Sequence, residues 1–395
     1  MDINFHYFTV KTLARKAGFT EEKAQRIAEY SEFIDDFNWI KSVTATNIPD
    51  NIVTSTRYDM YDGVNTFRPV TTGFTSIIDY AILLTKNAQR FYISPFHFIP
   101  KSLGDLGNKE IRTSQARIGD NSLISNALVE ARDIFIKQTD SAQCSTNLMR
   151  IGMLLHPFAD TCAHQMFSGY NSWVNDVKKR QVVDNITGDD ITEQMGVGNT
   201  DTPSFYDDAK PSGSADGGDV DTPPHLEQGI PFFSIGHMDM GHVPDLTNIT
   251  FAMGCHRNKG DKYEGAYSRS NTYEFLTFSR DILDYLRSCL GKLPLPDNEW
   301  SAFSAKVRLG FLIKMPSSDV NTKLATHWAK VFSSAPEDPD MLDIQYHFDS
   351  KEIEQRFKGT AKNEYTDEFY TYNLLADEWL ATLYGDKPRQ TTAND

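Results

Sequence analysis

No run of about 18 apolar residues occurs in this chain of 395, so no segment reads as a membrane-spanning helix. Cysteine is scarce: Cys144, Cys162, Cys255 and Cys289 show no CxxC spacing, which excludes a zinc ribbon and a disulfide framework. Basic residues are outnumbered, 39 Lys and Arg against 54 Asp and Glu, for a net charge of -15, and they form no long runs. Nucleic acid is therefore not an expected partner, and neither is an anionic membrane surface. The opening Met1-Asp2-Ile3-Asn4 lacks a basic segment followed by an apolar core, so no classical signal peptide is expected. Cytoplasmic residence is the default expectation, with non-classical secretion as the alternative. Catalytic signatures are missing as well. There is no Walker A sequence, GxGxxG, GxSxG or HExxH, no Glu-x-x-His, and no histidine followed by aspartate.

What remains is a strong helical periodicity. A first helix is predicted over about Phe5 to Lys16, ended by Gly18, and Thr20 caps a second that carries Ala24, Ile27, Ala28, Ser31 and Ile34 inward. The stretch from Asn38 to Thr75 reads as loop. A helix follows over Thr75 to Ala88, and the proline-flanked segment Phe91 to Pro100 is expected to be extended. Further helices are predicted at Ser122–Lys137, Thr146–Phe167, Asn271–Leu290, Asp297–Lys314, Thr322–Ala335 and Thr366–Tyr384. Residues 188–224, rich in Gly, Ser, Asp and Pro, read as a polar, acidic surface insertion. The expectation is an all-α fold: a single mostly helical domain over residues 1–395, a multi-helix bundle around a buried metal cluster, with that loop inserted.

The metal cluster is inferred from one stretch, Leu155 to Tyr170, "LHPFADTCAHQMFSGY". His156, Asp160 and His164 stand at steps of four, so they share one face of a helix that is otherwise apolar nearly all round. Pro157 either kinks the helix or restarts it, and the stripe survives both. A buried carboxylate is costly without a partner, and a divalent ion is one such partner. A core histidine bonded to an aspartate, beside an unrelated histidine, is the plainer alternative. His156 and His164 lie roughly 12 Å apart along the axis, so one ion cannot easily bind both. Other metal-capable residues fall on apolar faces or in tight segments: His6, Asp35 with Asp36, His97, His237, His242 and Asp245. Asp239 fits less well, and His225, His256, His327 and His347 have no partner pattern.

The ordered segments "FHYF", "FIDD", "SPFHFIP", "LLHPFADTCAHQMFSG" and "GHMDMGHVPD" resemble an uncharacterised domain family allied to the zinc-dependent phospholipase C and P1-nuclease superfamily. The resemblance covers about residues 1–255, leaving 256–395 as a C-terminal helical part outside it. It implies a helical fold holding a cluster of three zinc ions that hydrolyses phosphate esters. By order along the chain, His6 resembles the early histidine ligand, Asp35 or Asp36 the following aspartate, and His97 the next histidine. His156 and Asp160 resemble the pair whose aspartate bridges two metals, and His164 and His237 the histidines of the remaining site. This sequence departs from the pattern twice. The superfamily begins with a tryptophan whose amine binds zinc, whereas this chain begins Met1-Asp2. The superfamily's His-x3-Glu is absent, since Gly241 stands four residues after His237, so Asp239, His242 or Asp245 must substitute, with Asp245 preferred.

The function expected from this is metal-dependent hydrolysis of a phosphodiester by a metal-activated water, phospholipase C-like, with two to three zinc ions or another divalent metal. Asp35 or Asp36 would orient or deprotonate the water, and the substrate would be a small phosphoester or a phospholipid head group. The alternative is a non-catalytic binding, toxin or interaction protein with structural metal sites. The sequence leaves the oligomeric state open.

Overall fold

The computed structural model describes residues 1–39, 41–53, 57–61, 64–73, 85–138, 141–195, 235–259, 264–315, 318–333, 341 and 343–385. The chain starts with a π-helical turn, Asn4–Thr9, that runs into α1 (Val10–Ala17). Gly18 ends α1 in the left-handed conformation, and the Thr20 side chain caps α2 (Glu21–Asp36) by accepting from the Lys23 N–H. α3 (Ser94–His97) is short. α4 (Leu123–Lys137) starts at the Ser122 cap, and α5 (Ser141–Ala163) is the long central helix. The C-terminal part adds α6 (Asn271–Cys289), α7 (Asp297–Phe311), α8 (Val320–Phe332), α9 (Ser350–Arg356) and α10 (Asp367–Tyr384).

The fold is not all-α. Two three-stranded antiparallel sheets accompany the helices. The first, in the order β1-β3-β2, joins β1 (Val43–Thr44), β2 (Tyr58–Tyr61) and β3 (Val64–Phe67), inside the stretch expected to be loop. The second, in the order β4-β5-β6, joins β4 (Val177–Asp184), β5 (Ile249–Cys255) and β6 (Gly265–Ser270). β5 alternates buried Ile249, Phe251 and Met253 with half-exposed Thr250 and Ala252, the period of a strand with one covered face. Its covered face packs on Phe98, Phe167, Ile235, Met240 and Val243, forming a second, smaller core.

The segment 91–100 is also corrected. It forms a π-helical turn, Gln89–Ile93, followed by α3, rather than an extended chain. Pro95 sits in the first turn of α3, where a missing N–H breaks no intrahelical bond. Of the predicted helix Thr75–Ala88, only Lys86–Ala88 is helical among the described residues, since residues 74–84 lie outside them. Of the predicted insertion, residues 188–195 are described. Ile191 and Met195 pack against the second core, and the Ile191 N–H bonds the Val182 carbonyl, so this end is not wholly solvated. Residues 196–224 lie outside the described part.

The main core runs through the whole chain, from Phe5 and Phe8 through α2 and α5 to Trp328, Phe357 and Leu380. Trp328 donates its indole N–H to Asn4, and Trp379 donates to the Pro95 carbonyl beside α3. The C-terminal helices thus close over the same interior. No helix among the described residues is long and apolar enough to cross a membrane.

Candidate metal centre

Every residue from Ile151 to Ala163 on α5 is buried, and the helix continues through Pro157 without interruption. α5 lies against α2 because Gly152 presents no side chain there. A Cβ at that position would stand 2.3 Å from the Ile27 carbonyl oxygen. The close approach lets His156 Nδ1 donate to the Ser31 carbonyl at 2.6 Å. His97 is placed in a similar way. Its Nε2 donates to the Thr72 carbonyl at 2.8 Å, and the next residue, Gly73, lies so near α2 that a Cβ would overlap the Asp35 carbonyl. His164 donates from Nδ1 to the His97 carbonyl at 2.6 Å, and His237 donates from Nδ1 to the Gly241 carbonyl at 2.8 Å.

A carbonyl oxygen can only accept, so each of these four bonds fixes a tautomer. The nitrogen left with its lone pair is Nε2 in His156, His164 and His237, and Nδ1 in His97. All four lone pairs face carboxylates. His97 Nδ1 and His156 Nε2 are 3.2 Å apart, and each is 3.3 Å from Asp160 Oδ2 and 3.6 Å from Asp35 Oδ1. On the other oxygen, Asp160 Oδ1 lies 3.1 Å from His6 Nε2. His164 Nε2 is 3.1 Å from Asp245 Oδ1, and His237 Nε2 is 3.3 Å from Asp245 Oδ2. Among the described residues this makes three donor groups, of which the first two share His156: His6, His156 and Asp160; Asp35, His97 and His156; His164, His237 and Asp245.

The donor set fits a divalent ion. A tetrahedron of donors about 2.0–2.1 Å from zinc has edges of about 3.3–3.4 Å. Five of the six edges among Asp35, His97, His156 and Asp160, those that include a histidine, run from 3.2 to 3.6 Å. The outer nitrogens tied to backbone carbonyls are the usual support of metal-ligating histidines. His6 differs, because its Nδ1 is buried without a partner and its ring stacks on His156 at 3.8 Å.

Electrostatics follow from burial. Burial pushes His6 down to about 3 and His237 down to about 4, so both are neutral imidazoles at pH 7. Asp160 and Asp245 are buried too, which alone would raise them, but neighbouring histidines and the Met1 amine hold both well below the usual carboxylate range. His97 is raised: burial opposes this, and Asp160 and Asp35 outweigh it. Exposure is uneven. The side chains of His156 and Asp160 are 0% and 1% exposed, whereas that of Asp35 is 38% exposed.

The remaining predicted residues separate. Asp245, not His242, completes the last group, since His242 is exposed in the turn that precedes it. Asp36 points away from the cluster toward Ser350, and burial pushes its carboxyl up to about 7. The sequence reading missed the α-amino group of Met1. It is fully buried, paired with Asp160, and 3.4 Å from Asp245. Burial alone would lower its pKa, but Asp160, Asp245 and Asp35 raise it to about 11. The signal was available in the resemblance, where an N-terminal amine is a ligand, but the change from tryptophan to methionine hid it.

The chain belongs to DUF6765, a family of unknown function whose model matches residues 1–384. The match includes the C-terminal helices. No curated protein and no solved structure matches the chain.

Proposed function

We propose that this protein is a zinc-dependent phosphoric ester hydrolase, in which Asp160 would be the carboxylate shared by two of the ions. The observation that carries the reading is the convergence of four fixed histidine lone pairs on three carboxylates in a buried site. Asp35, His97, His156 and Asp160 would hold one ion, His6 and Asp160 a second, and His164, His237 and Asp245 a third. The Met1 amine lies where it could add a donor once it loses its proton. Ions held there supply Lewis acidity toward a phosphoryl oxygen and lower the pKa of a water.

The chain's own residues have distinct tasks. Ser31, Thr72, His97 and Gly241 offer the carbonyls that hold the imidazoles in their ligating tautomers. Asp35 is the cluster carboxylate that solvent reaches, so it is the group able to receive a proton from an incoming water or orient it. Asp36 has no such place. The acidic surface fits a zwitterionic phosphodiester, such as a phospholipid head group that carries its own cation, better than nucleic acid.

The test is metal analysis of the purified protein, then a screen of phosphodiesters and phosphomonoesters at neutral to alkaline pH. Activity that disappears in Asp160→Asn supports the proposal. A metal-replete wild type inactive across the screen removes it, and leaves structural metals as the reading.

A further inference from the structure

Arg269 and Asn271 straddle the junction where β6 becomes α6, and neither contributes a donor to the cluster. They stand two residues apart and are buried, at 7% and 0% exposure. The Arg269 guanidinium lies between the rings of Phe251 and Phe275, 5.2 and 5.5 Å from their centroids, which fixes its plane. Its Nη1 donates to the Cys162 carbonyl. Its Nη2 donates to both the Ala163 and the Pro244 carbonyls at 2.7 Å. Ala163 immediately precedes His164, and Pro244 immediately precedes Asp245. One nitrogen thus holds the backbone just before two donors of the same group, whose side chains meet at 3.1 Å.

Asn271 completes the arrangement. Its Oδ1 accepts from Arg269 Nε at 2.7 Å. Its Nδ2 donates to the carbonyls of Val243 and Leu246, both at 2.8 Å, and to that of Pro244 at 3.3 Å. These residues bracket Asp245. The positive guanidinium also faces the carbonyls at the C-terminal end of α5, where the helix dipole is negative. His164 follows the last residue of α5 and Asp245 lies in the turn that precedes β5, so Arg269 and Asn271 tie together the backbones of two separate segments.

We propose that Arg269 and Asn271 are positioning residues that set the His164–Asp245 separation, and with it the affinity of the His164, His237 and Asp245 group for its ion, independently of the other two groups. This rests on the reading that the group holds a divalent ion. The experiment is a zinc titration of the metal-stripped full chain against a chromophoric chelator, with wild type, Arg269→Lys, Asn271→Ser and Tyr273→Ala. Arg269→Lys keeps the charge but cannot span the carbonyls. Asn271→Ser is the milder change and decides the matter if the lysine variant does not fold. Tyr273, 68% exposed on the same helix, is the control. Loss of such supporting contacts typically costs about 10–100-fold in metal affinity. The expected result is a loss of that size at one site, with the other sites and the control unchanged, and with one contribution missing from the visible spectrum of the cobalt-substituted variant. Unchanged affinities in a variant, in protein whose wild type binds metal, overturn the clamp alone. Equal weakening at every site also overturns it. A wild type that takes up no zinc overturns the metal reading with it.

Discussion

Asp160→Asn separates a metal cluster from a buried polar network. The substitution keeps the shape of the side chain and removes the charge that faces His6, His97, His156 and the Met1 amine. In metal-free protein the amine loses its closest counter-charge, so the variant melts lower for reasons unrelated to metal. The informative quantity is therefore the change in melting temperature on chelation, measured for each protein separately. A ligand bound only by the native state stabilises it by about 2.7 kcal/mol when its free concentration is 100 times its dissociation constant. Three occupied groups give about 8 kcal/mol in total. Unfolding entropy of about 2.1 cal/mol/K per residue gives roughly 0.8 kcal/mol/K for a chain of this length. Chelation should then lower the wild-type melting temperature by about 10 °C. Asp160→Asn should keep only the His164, His237 and Asp245 group and shift by about 3 °C. Differential scanning fluorimetry with and without a strong chelator reads both values. Equal shifts in the two proteins would refute a bridging Asp160, and no shift in either would refute bound metal.

Other perturbations test separate steps. In metal-stripped protein, His6 and His237 are neutral, with pKa values depressed to about 3 and about 4 by burial. Stability from both is present above the unfolded histidine pKa near 6.5 and is lost as pH falls toward those values, so a His237→Gln variant, which lacks one of the two groups, should lose less of its denaturant midpoint between about pH 6.5 and 4 than wild type does. His97, raised in the fold, and Asp2, Glu32 and Asp36, whose carboxyls burial pushes up, act in the opposite sense in both proteins; the same pH dependence in variant and wild type would contradict the assignment. Gly152→Ala should cost about 1–3 kcal/mol by forcing α5 off α2, and should weaken metal binding through His156; urea melts and metal content check both. Asp35→Asn should reduce phosphoester turnover more than Asp36→Asn, because only Asp35 lies in the cluster; the reverse order would reassign the water-handling group.

Much of the centre could be read from spacing alone. Steps of four on an apolar helix placed His156, Asp160 and His164 on one face, and the structure puts all three side chains in the buried cluster. His6 was legible because it shared a face with Val10, and a π-helical turn still turns it inward. Asp36 was not separable from Asp35, since adjacent helical residues differ by only about 100°, and packing against Ser350 decides between them. The strands were missed for different reasons. β1 to β3 are short and lie in a stretch with weak periodicity. The alternation in Ile249–Cys255 is present in the sequence, but over seven residues it is weak beside the helical pattern that follows. The helical turns around Pro95 were missed because proline argues against a helix only beyond its first turn. The Arg269 and Asn271 contacts carry no local signal, since their carbonyl partners lie more than 20 residues away in sequence.

The most direct test of the metal centre is a crystal of metal-replete protein with diffraction recorded on either side of the zinc absorption edge. The account predicts separate anomalous peaks: one among Asp35, His97, His156 and Asp160, one between His6 and Asp160, and one among His164, His237 and Asp245. A single peak bound by both His156 and His164, or no peak beside Asp160, would contradict it.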